Sequence, residues 1–476
     1  MQKKKILSSL IYKFSERLLV KGLGLIISIV LARLLSPTEF GQIAIIMVFI
    51  NLSIVLIDSG LGAALVQDKD VSERDYSTVF YISISIAVIL ICILWLISPV
   101  VSDYYKEPVL IMPLRVYSLS LLFYVVCSIA QAKLQREMKF KQMMWCNLIA
   151  SVVSGCIGIW AAYNGFGIWT LILYYLSSPV ITSILLLYAA RWYPKLIFSW
   201  NRAKILFAFG SRMLVSGFLC SLYNDVRTLI IGKVYSPIDL GYYNRGEQFP
   251  TVVSQTLDSA LQSVMFPIMS GVQESPVEVK SILKRTLSIS ALIVSPIMFA
   301  MSVMASPIIE LLLTSKWLPA VPYMQCICIG CAALPLSSSC LVAIKSMGKG
   351  GLYMKLEFIR RLIMLIILLC SVFCFDSVLA IALGFAISSW IDYIVVAIVM
   401  KALLEYTLRE QFYDIVRQLL SALLMSVCMY SITIFSLSCH ITLSLQVLVG
   451  IGSYAMLCYV LKIESFRYIV SLLRKS

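Results

Sequence analysis

Charged and polar side chains recur at helical spacing inside tracts that are otherwise apolar, and that pattern is the chemistry this 476-residue sequence offers. Gln248, Thr251, Gln255, Asp258 and Gln262 follow one another at steps of three and four, which places them on one face of a helix. Arg212, Ser216, Tyr223 and Arg227 share a face by the same rule, with Asn224 and Asp225 beside it, and so do Arg17, Lys21, Gly24 and Ser28. A charged side chain at the centre of a bilayer costs about 2.5–3.5 kcal/mol on insertion scales, so each of these residues is a functional candidate. Such faces are unfavourable against lipid and are expected to line water or polar partners. Cationic ones suit an anionic substrate, above all one carrying phosphate.

Depth separates the candidates. Lys21, Arg212 and Arg227 lie deep in their tracts, whereas Arg17 is near enough to the inner end to snorkel, as Arg33 and Arg245 are to the outer end. Glu357 and Arg361, four apart, read as an interfacial ion pair. The acids at depth are Asp58, Asp225, Glu247, Asp258 and Asp392. Asp58, Asp225, Asp258 and Asp392 are the candidates for a coupling proton or cation, and each could equally neutralise a neighbouring arginine.

The elements that must position these residues are helices. With 60% of residues hydrophobic and 13% charged, the chain is far more apolar than a soluble domain. Its mean hydropathy is +0.93. Apolar tracts fall at 14–35, 40–61, 78–101, 109–132, 143–163 and 166–190, then at 205–231, 242–269, 286–305, 320–344, 356–375 and 378–403, and last at 415–437 and 443–461. Each is long enough to cross hydrocarbon about 30 Å thick. The expected fold is therefore an all-α polytopic membrane protein of about fourteen transmembrane helices. No soluble stretch reaches the roughly 50 residues of a small domain, which excludes a nucleotide-hydrolysing module. Residues 1–190 form an N-terminal six-helix lobe, 191–204 a basic cytoplasmic linker, 205–403 a second six-helix lobe, and 404–476 two further helices with a tail.

The net charge of +15 follows topology. With the N-terminus inside, the inner loops collect the lysines and arginines, while the outer ones hold little more than Lys106, Lys233 and Lys316. Both termini are expected to be cytoplasmic, and the loop cations to face anionic lipid and not nucleic acid. The first span, carrying Lys21 and no small-residue cleavage site, is expected to be retained and not removed as a signal peptide. Fourteen cysteines lie mostly inside apolar tracts, where cysteine packs as a small hydrophobe. The tightest group, Cys326, Cys328 and Cys331, lacks a nearby histidine or carboxylate, His440 being distant, so no metal site is expected. No catalytic constellation, Gly-rich phosphate loop or nucleophile with a histidine partner is found either.

An internal repeat organises the chain. Arg33-Leu34-Leu35-Ser36-Pro37-Thr38-Glu39-Phe40-Gly41 returns 200 positions later as Lys233-Val234-Tyr235-Ser236-Pro237-Ile238-Asp239-Leu240-Gly241, with cation, Ser-Pro, acid and Gly in register. The unit spans about six helices and restarts on the same side of the membrane, so the two are parallel repeats, an arrangement of transporters whose lobes alternate about a central site. The striped helices at 14–35 and 205–231 are then repeat equivalents, and that site should be basic.

Leu31 to Gly41 (LARLLSPTEFG), Gly60 to Gln67 (GLGAALVQ), Leu240 to Arg245 (LGYYNR), Phe266-Pro267 and Lys316 to Pro322 (KWLPAVP) together resemble the polysaccharide transporter branch of the multidrug, oligosaccharidyl-lipid and polysaccharide flippase superfamily, the Wzx-type flippases. The resemblance covers most of the first twelve helices and departs at Gly246-Glu247, where the family implies a small residue followed by a neutral one. It implies a lipid-linked oligosaccharide substrate, a polyprenyl pyrophosphate, moved across a bacterial cytoplasmic membrane for O-antigen, capsule or exopolysaccharide. No cofactor is implied beyond a proton or sodium gradient. The implied partners are membrane lipid and a polysaccharide polymerase or export machinery. Two other readings stay open: a cation or drug extruder of the same superfamily, whose cavity should be acidic, and a glycan polymerase or ligase, which should need a sizeable outer loop.

Overall fold

In the computed structural model the described residues are 2–58, 61–62, 65, 71–435 and 438–467, with backbone only for 2–15, 17–18, 201, 205–213, 215–216, 219–220 and 223–224. The family-like stretch 60–67 lies mostly outside them. No strand occurs among the described residues. Each expected tract falls on one helix: α1 (Gln2–Leu34), α2 (Pro37–Asp58), α3 (Glu73–Tyr105), α4 (Pro108–Arg136, opened by a 3-10 turn), α5 (Phe140–Tyr163), α6 (Ile168–Ala190) and α7 (Trp200–Val234). There follow α8 (Pro237–Gly271), α9 (Pro276–Val303), α10 (Ser315–Ser346, also opened by a 3-10 turn), α11 (Gly350–Cys374), α12 (Val378–Leu404), α13 (Leu408–Phe435) and α14 (Cys439–Val460). The helices outrun their tracts because backbone hydrogen bonding continues past the hydrocarbon into the interface. Ten helices among the described residues are long and apolar enough to cross a membrane. The other four, α1, α7, α8 and α11, are no shorter than 25 residues but hold charged side chains inside their apolar runs. All-helical, polytopic architecture is thus in place among the described residues.

The helices begin where the sequence can satisfy their first N–H groups. The Glu39 carboxylate accepts from Ser36 N at 2.6 Å and from Ser36 Oγ at 3.0 Å, just as Asp239 accepts from Ser236 Oγ at 2.6 Å, with Pro37 and Pro237 opening α2 and α8. Ser72 and Asp75 do the same for α3, and Thr407 accepts from Glu410 N at 3.3 Å for α13. Serine or threonine with an acid three residues on is the capping box, and proline at the first helical position loses no bond.

Contacts divide the chain into two units, Met1–Gly241 and Tyr242–Ser476, so the division falls inside α8 and not in the basic stretch 191–204. The reason is packing. Helix α7, expected to lead the second lobe, packs on α2 and α3. The stretch before it is pinned to the start of α3: Lys195 N donates to Ser77 Oγ at 3.2 Å, Ser199 N to Thr78 Oγ1 at 3.1 Å, and Arg202 pairs with Asp75 at 2.7 Å.

Both copies of the repeat turn lie in the first unit, and they touch reciprocally. A Cβ added to Gly41 would overlap the Pro237 carbonyl oxygen, and one added to Gly241 that of Pro37. Neither position has room for a side chain. The repeat therefore carries glycine five residues after each serine because the start of each helix rests on the backbone of the other, a two-fold-like contact in which equivalent residues exchange roles.

In the second unit α10 is the central element: 83% of its most apolar window is buried, against 17% for α14, whose outer face is left to lipid. Helices α9 and α12 pack on it, and α13 packs in turn on α9, over a core that includes Leu283, Leu287, Leu336, Ile344, Val396, Met400 and Tyr406. A nine-residue helix, Ala305–Leu313, occupies the connection between α9 and α10 and packs on α14.

Candidate functional site

The sequence candidates of the first unit sit on α1, α2 and α7. Lys21 is exposed and has no hydrogen bond or ion pair among the described residues. Ser28 and Arg227 are half-buried. Arg17, Arg212, Ser216, Tyr223 and Asn224 are helical in backbone, and their side chains lie outside the described ones. Asp225 accepts from Ser221 Oγ at 3.3 Å, one turn back on the same helix. Asp58, at the end of α2, is exposed and accepts from Ser128 Oγ of α4, also at 3.3 Å. One acid was overlooked by the stripe argument: Glu16, beside the α1 cations, accepts from Asn147 Nδ2 of α5 at 2.5 Å. The i, i+3 and i, i+4 rules cannot find such a pair, because its members are on different helices.

In the second unit the polar face of α8 is divided among different partners. Toward its N-terminal end Gln248 accepts from Arg245 Nη1. Arg245 does not reach out to water as a snorkelling residue would. It is 5% exposed, with its guanidinium 5.8 Å from the ring of fully buried Trp317, so the LGYYNR and KWLPAVP stretches are packed together. That close approach uses Gly246, where a Cβ would lie 2.9 Å from the Ala320 carbonyl oxygen and the Met324 nitrogen. Thr251 Oγ1 turns back to the Glu247 carbonyl at 2.6 Å, and Gln255 is exposed. One and two turns further along, Gln262 Nε2 donates to Asp258 Oδ2 at 2.7 Å, and Ser338 Oγ of α10 donates to Asp258 Oδ1. No cation pairs with Asp258 among the described residues.

Asp392 of α12 is held differently. It is 3% exposed; Ser337 Oγ donates to Oδ2 at 2.6 Å, Arg360 Nη2 donates to the same oxygen at 2.6 Å, and Arg360 Nε donates to Oδ1. Arg360 also reaches Glu357 at 3.0 Å, so the expected Glu357–Arg361 pair, present at 3.2 Å, is one edge of a larger network running inward to Asp392. Arg360 was missed as a site residue. Its spacing of three from Glu357 was visible, whereas its reach of 32 positions to Asp392 is tertiary. Adjacent serines of α10 thus serve two carboxylates, one neutralised by a guanidinium and one bonded only to neutral donors. Such an arrangement can bind and release a small cation at Asp258 far more readily than at Asp392, where the charge is already matched.

Intramembrane cations, a six-helix repeat and polar stripes on long helices define a polytopic transporter-like membrane protein. Residues 30–322, more than half of the chain, match the family described as polysaccharide biosynthesis protein, and the chain belongs to that family. It is 24% identical over 339 residues to the succinoglycan biosynthesis transport protein ExoT of Rhizobium meliloti (strain 1021), covering 71% of this chain and 69% of that one. It is likewise 24% identical over 315 residues to the lipopolysaccharide biosynthesis protein WzxC of Escherichia coli (strain K12), covering 65% and 64%. Its fold is that of the lipid II flippase MurJ in an inward closed conformation, with a TM-score of 0.76 at 16% identity over 98% of this chain and all of the other. The flippase-superfamily resemblance read from the sequence is borne out by both kinds of likeness.

Proposed function

We propose that this protein moves polyprenyl-pyrophosphate-linked oligosaccharide repeat units from the inner to the outer leaflet of a bacterial cytoplasmic membrane, by alternating access, to supply synthesis of a surface polysaccharide. The observation that carries the reading is Lys21: within a polysaccharide-biosynthesis family, a cation deep in the tract of α1 stands exposed with no hydrogen bond or ion pair among the described residues, as a group awaiting an anion would. Arg227 on the repeat-equivalent helix α7, with Arg212 on the same face by sequence spacing, supplies the matching charge, and the phosphates of the lipid pyrophosphate are the anion such groups fit. The protein performs no covalent chemistry in this reading. The repeats at 1–190 and 205–403 are its working halves, joined by 191–204, with residues 404–476 added to them, and both termini lie in the cytoplasm. A proton or sodium gradient drives the cycle through Asp258, with Asp58 and Asp225 as further carriers. A polysaccharide polymerase or export complex takes up the product.

The test is deletion of the gene with joint measurement of surface polysaccharide and lipid-linked repeat units. Loss of the polymer with complete single units retained on the inner leaflet is expected. Units that reach the outer leaflet but stay single would assign the protein to polymerisation, and unchanged polymer with raised sensitivity to toxic cations would assign it to extrusion. Replacing Lys21, Arg212 or Arg227 by Gln should abolish surface polymer at unchanged protein level; full activity in all three variants overturns the basic-site reading.

A further inference from the structure

Where the N-terminal turns of α9 and α13 meet the segment that follows α14, they enclose a cavity of about 560 Å³. Lys284, Arg285 and Arg417 line it, together with Asp414 and Glu464. Asp414 is already committed, to Lys284 at 3.1 Å and to the Tyr406 hydroxyl at 2.7 Å. Arg417 is exposed, and its guanidinium has no hydrogen bond or ion pair among the described residues.

The inner wall of this cavity is polar and incompletely satisfied. Gln418, only 3% exposed, donates Nε2 to Ser288 Oγ at 2.7 Å, and the hydroxyls of Ser288 and Ser465 bond each other at 2.6 Å. Among the described residues Gln418 Oε1 has no hydrogen-bond partner. Exchanging the oxygen and nitrogen of that amide leaves the imbalance in place, one end of a buried amide lining the cavity unbonded. Surface cations that merely mark the inner side of a membrane need no such buried group, and a native interior rarely leaves one.

A second cavity, of about 350 Å³, lies along α9, α13 and α14, with Phe466 of the segment that follows, and is apolar, lined among others by Pro296, Ile297, Met425, Met429 and Tyr454. Ser465 lines the polar cavity and Phe466 the apolar one, so one dipeptide contributes to both. From Ser288 to Pro296 the α9 backbone rises about 12 Å toward the hydrocarbon. A cationic chamber at the water interface that passes into an apolar one has the chemistry of a lipid with an anionic head.

We propose that these adjoining cavities hold an acidic phospholipid of the bilayer. Its phosphate is bound by Arg285 and Arg417, its glycerol hydroxyls by Gln418 and the serine pair, and an acyl chain by the apolar cavity. The guanidinium fork matches phosphate oxygens, and the inference takes nothing from the transport reading.

The protein, stripped of endogenous lipid in a neutral detergent, is titrated with phosphatidylglycerol, and separately with phosphatidylcholine and inorganic phosphate, reading thermal unfolding and the lipid retained in native mass spectra. Saturable stabilisation by phosphatidylglycerol is expected, weakened about tenfold in Arg417→Gln and further in the Arg285→Gln/Arg417→Gln double variant. Photoactivatable phosphatidylglycerol should label peptides spanning 281–289 and 413–418, which keeps the assignment testable if the double variant folds poorly. Equal response to phosphatidylcholine overturns the anionic site. Equal protection by inorganic phosphate overturns the lipid as its source, and undiminished phosphatidylglycerol binding in Arg417→Gln with labelling elsewhere overturns the site itself.

Discussion

Two carboxylates of the second unit share a helix neighbour and differ in everything else. Asp392 and Asp258 each accept a hydrogen bond from α10, from Ser337 and Ser338 respectively. Asp392 has a 1% exposed side chain and is clamped by two Arg360 nitrogens, whereas Asp258 is half-buried and meets only a hydroxyl and an amide. The first is a charge whose desolvation is met by another fixed charge. The second keeps unused carboxylate lone pairs and has no ion-pair partner among the described residues, the Lys345 charge acting on it only from a greater distance. The difference teaches that an acid within the membrane is not by itself a transport group: its partner decides whether it serves the fold or remains available to an ion.

The comparison breaks most visibly at Arg360. Arg360→Leu leaves Asp392 buried without its counter-charge and should destabilise the protein by about 3–5 kcal/mol, read as a lowered unfolding temperature and reduced membrane level. The Arg360→Leu/Asp392→Leu double variant should recover most of that loss, since replacing both members of a buried pair by apolar residues is often neutral; a double variant as unstable as the single one would show that Asp392 does not depend on Arg360. Asp258→Asn should do the opposite. Its amide still meets Ser338, so stability should shift by no more than about 1 kcal/mol, while surface polysaccharide falls and its dependence on the ion gradient disappears. Wild-type polymer levels in Asp258→Asn would remove Asp258 from the coupling role.

These assignments mark where sequence reading reaches and where it stops. Fourteen apolar tracts became helices because lipid leaves a backbone no other way to satisfy its polar groups over 20 residues. The serine, proline and acid of the Ser-Pro-x-acid-x-Gly repeat were visible as a pattern. The requirement for Gly41 and Gly241 was not, because it comes from a backbone 200 positions away. In the same way Glu357 with Arg361 was legible as neighbours on one helix, while Arg360 with Asp392, Asn147 with Glu16 and Arg202 with Asp75 join separate helices. Spacing rules order residues on one cylinder and say nothing of which cylinder comes next. The stretch 191–204 shows the same limit: its basic composition was legible, and its three hydrogen-bonded attachments to α3 were not.

The smallest effects should sharpen the contrast furthest, because the two serines are adjacent and chemically identical. Ser337→Ala removes one of three hydrogen bonds to Asp392, and Arg360 still holds the carboxylate, so a stability loss of about 1 kcal/mol is expected with transport intact. Ser338→Ala removes one of the two donors to Asp258, and Ser338 Oγ's second contact, to the Pro335 carbonyl at 3.2 Å, is within its own helix. Its stability cost should be similar or smaller. Its effect on function should be larger, because a carboxylate left with Gln262 alone changes its affinity for whatever cation it carries. Measuring polymer output at several external pH values and sodium concentrations should therefore displace the Ser338→Ala profile from wild type and leave the Ser337→Ala profile on it. Coincident profiles for the two variants would mean that α10 supports both acids in the same structural way, and the coupling assignment of Asp258 would lose its footing.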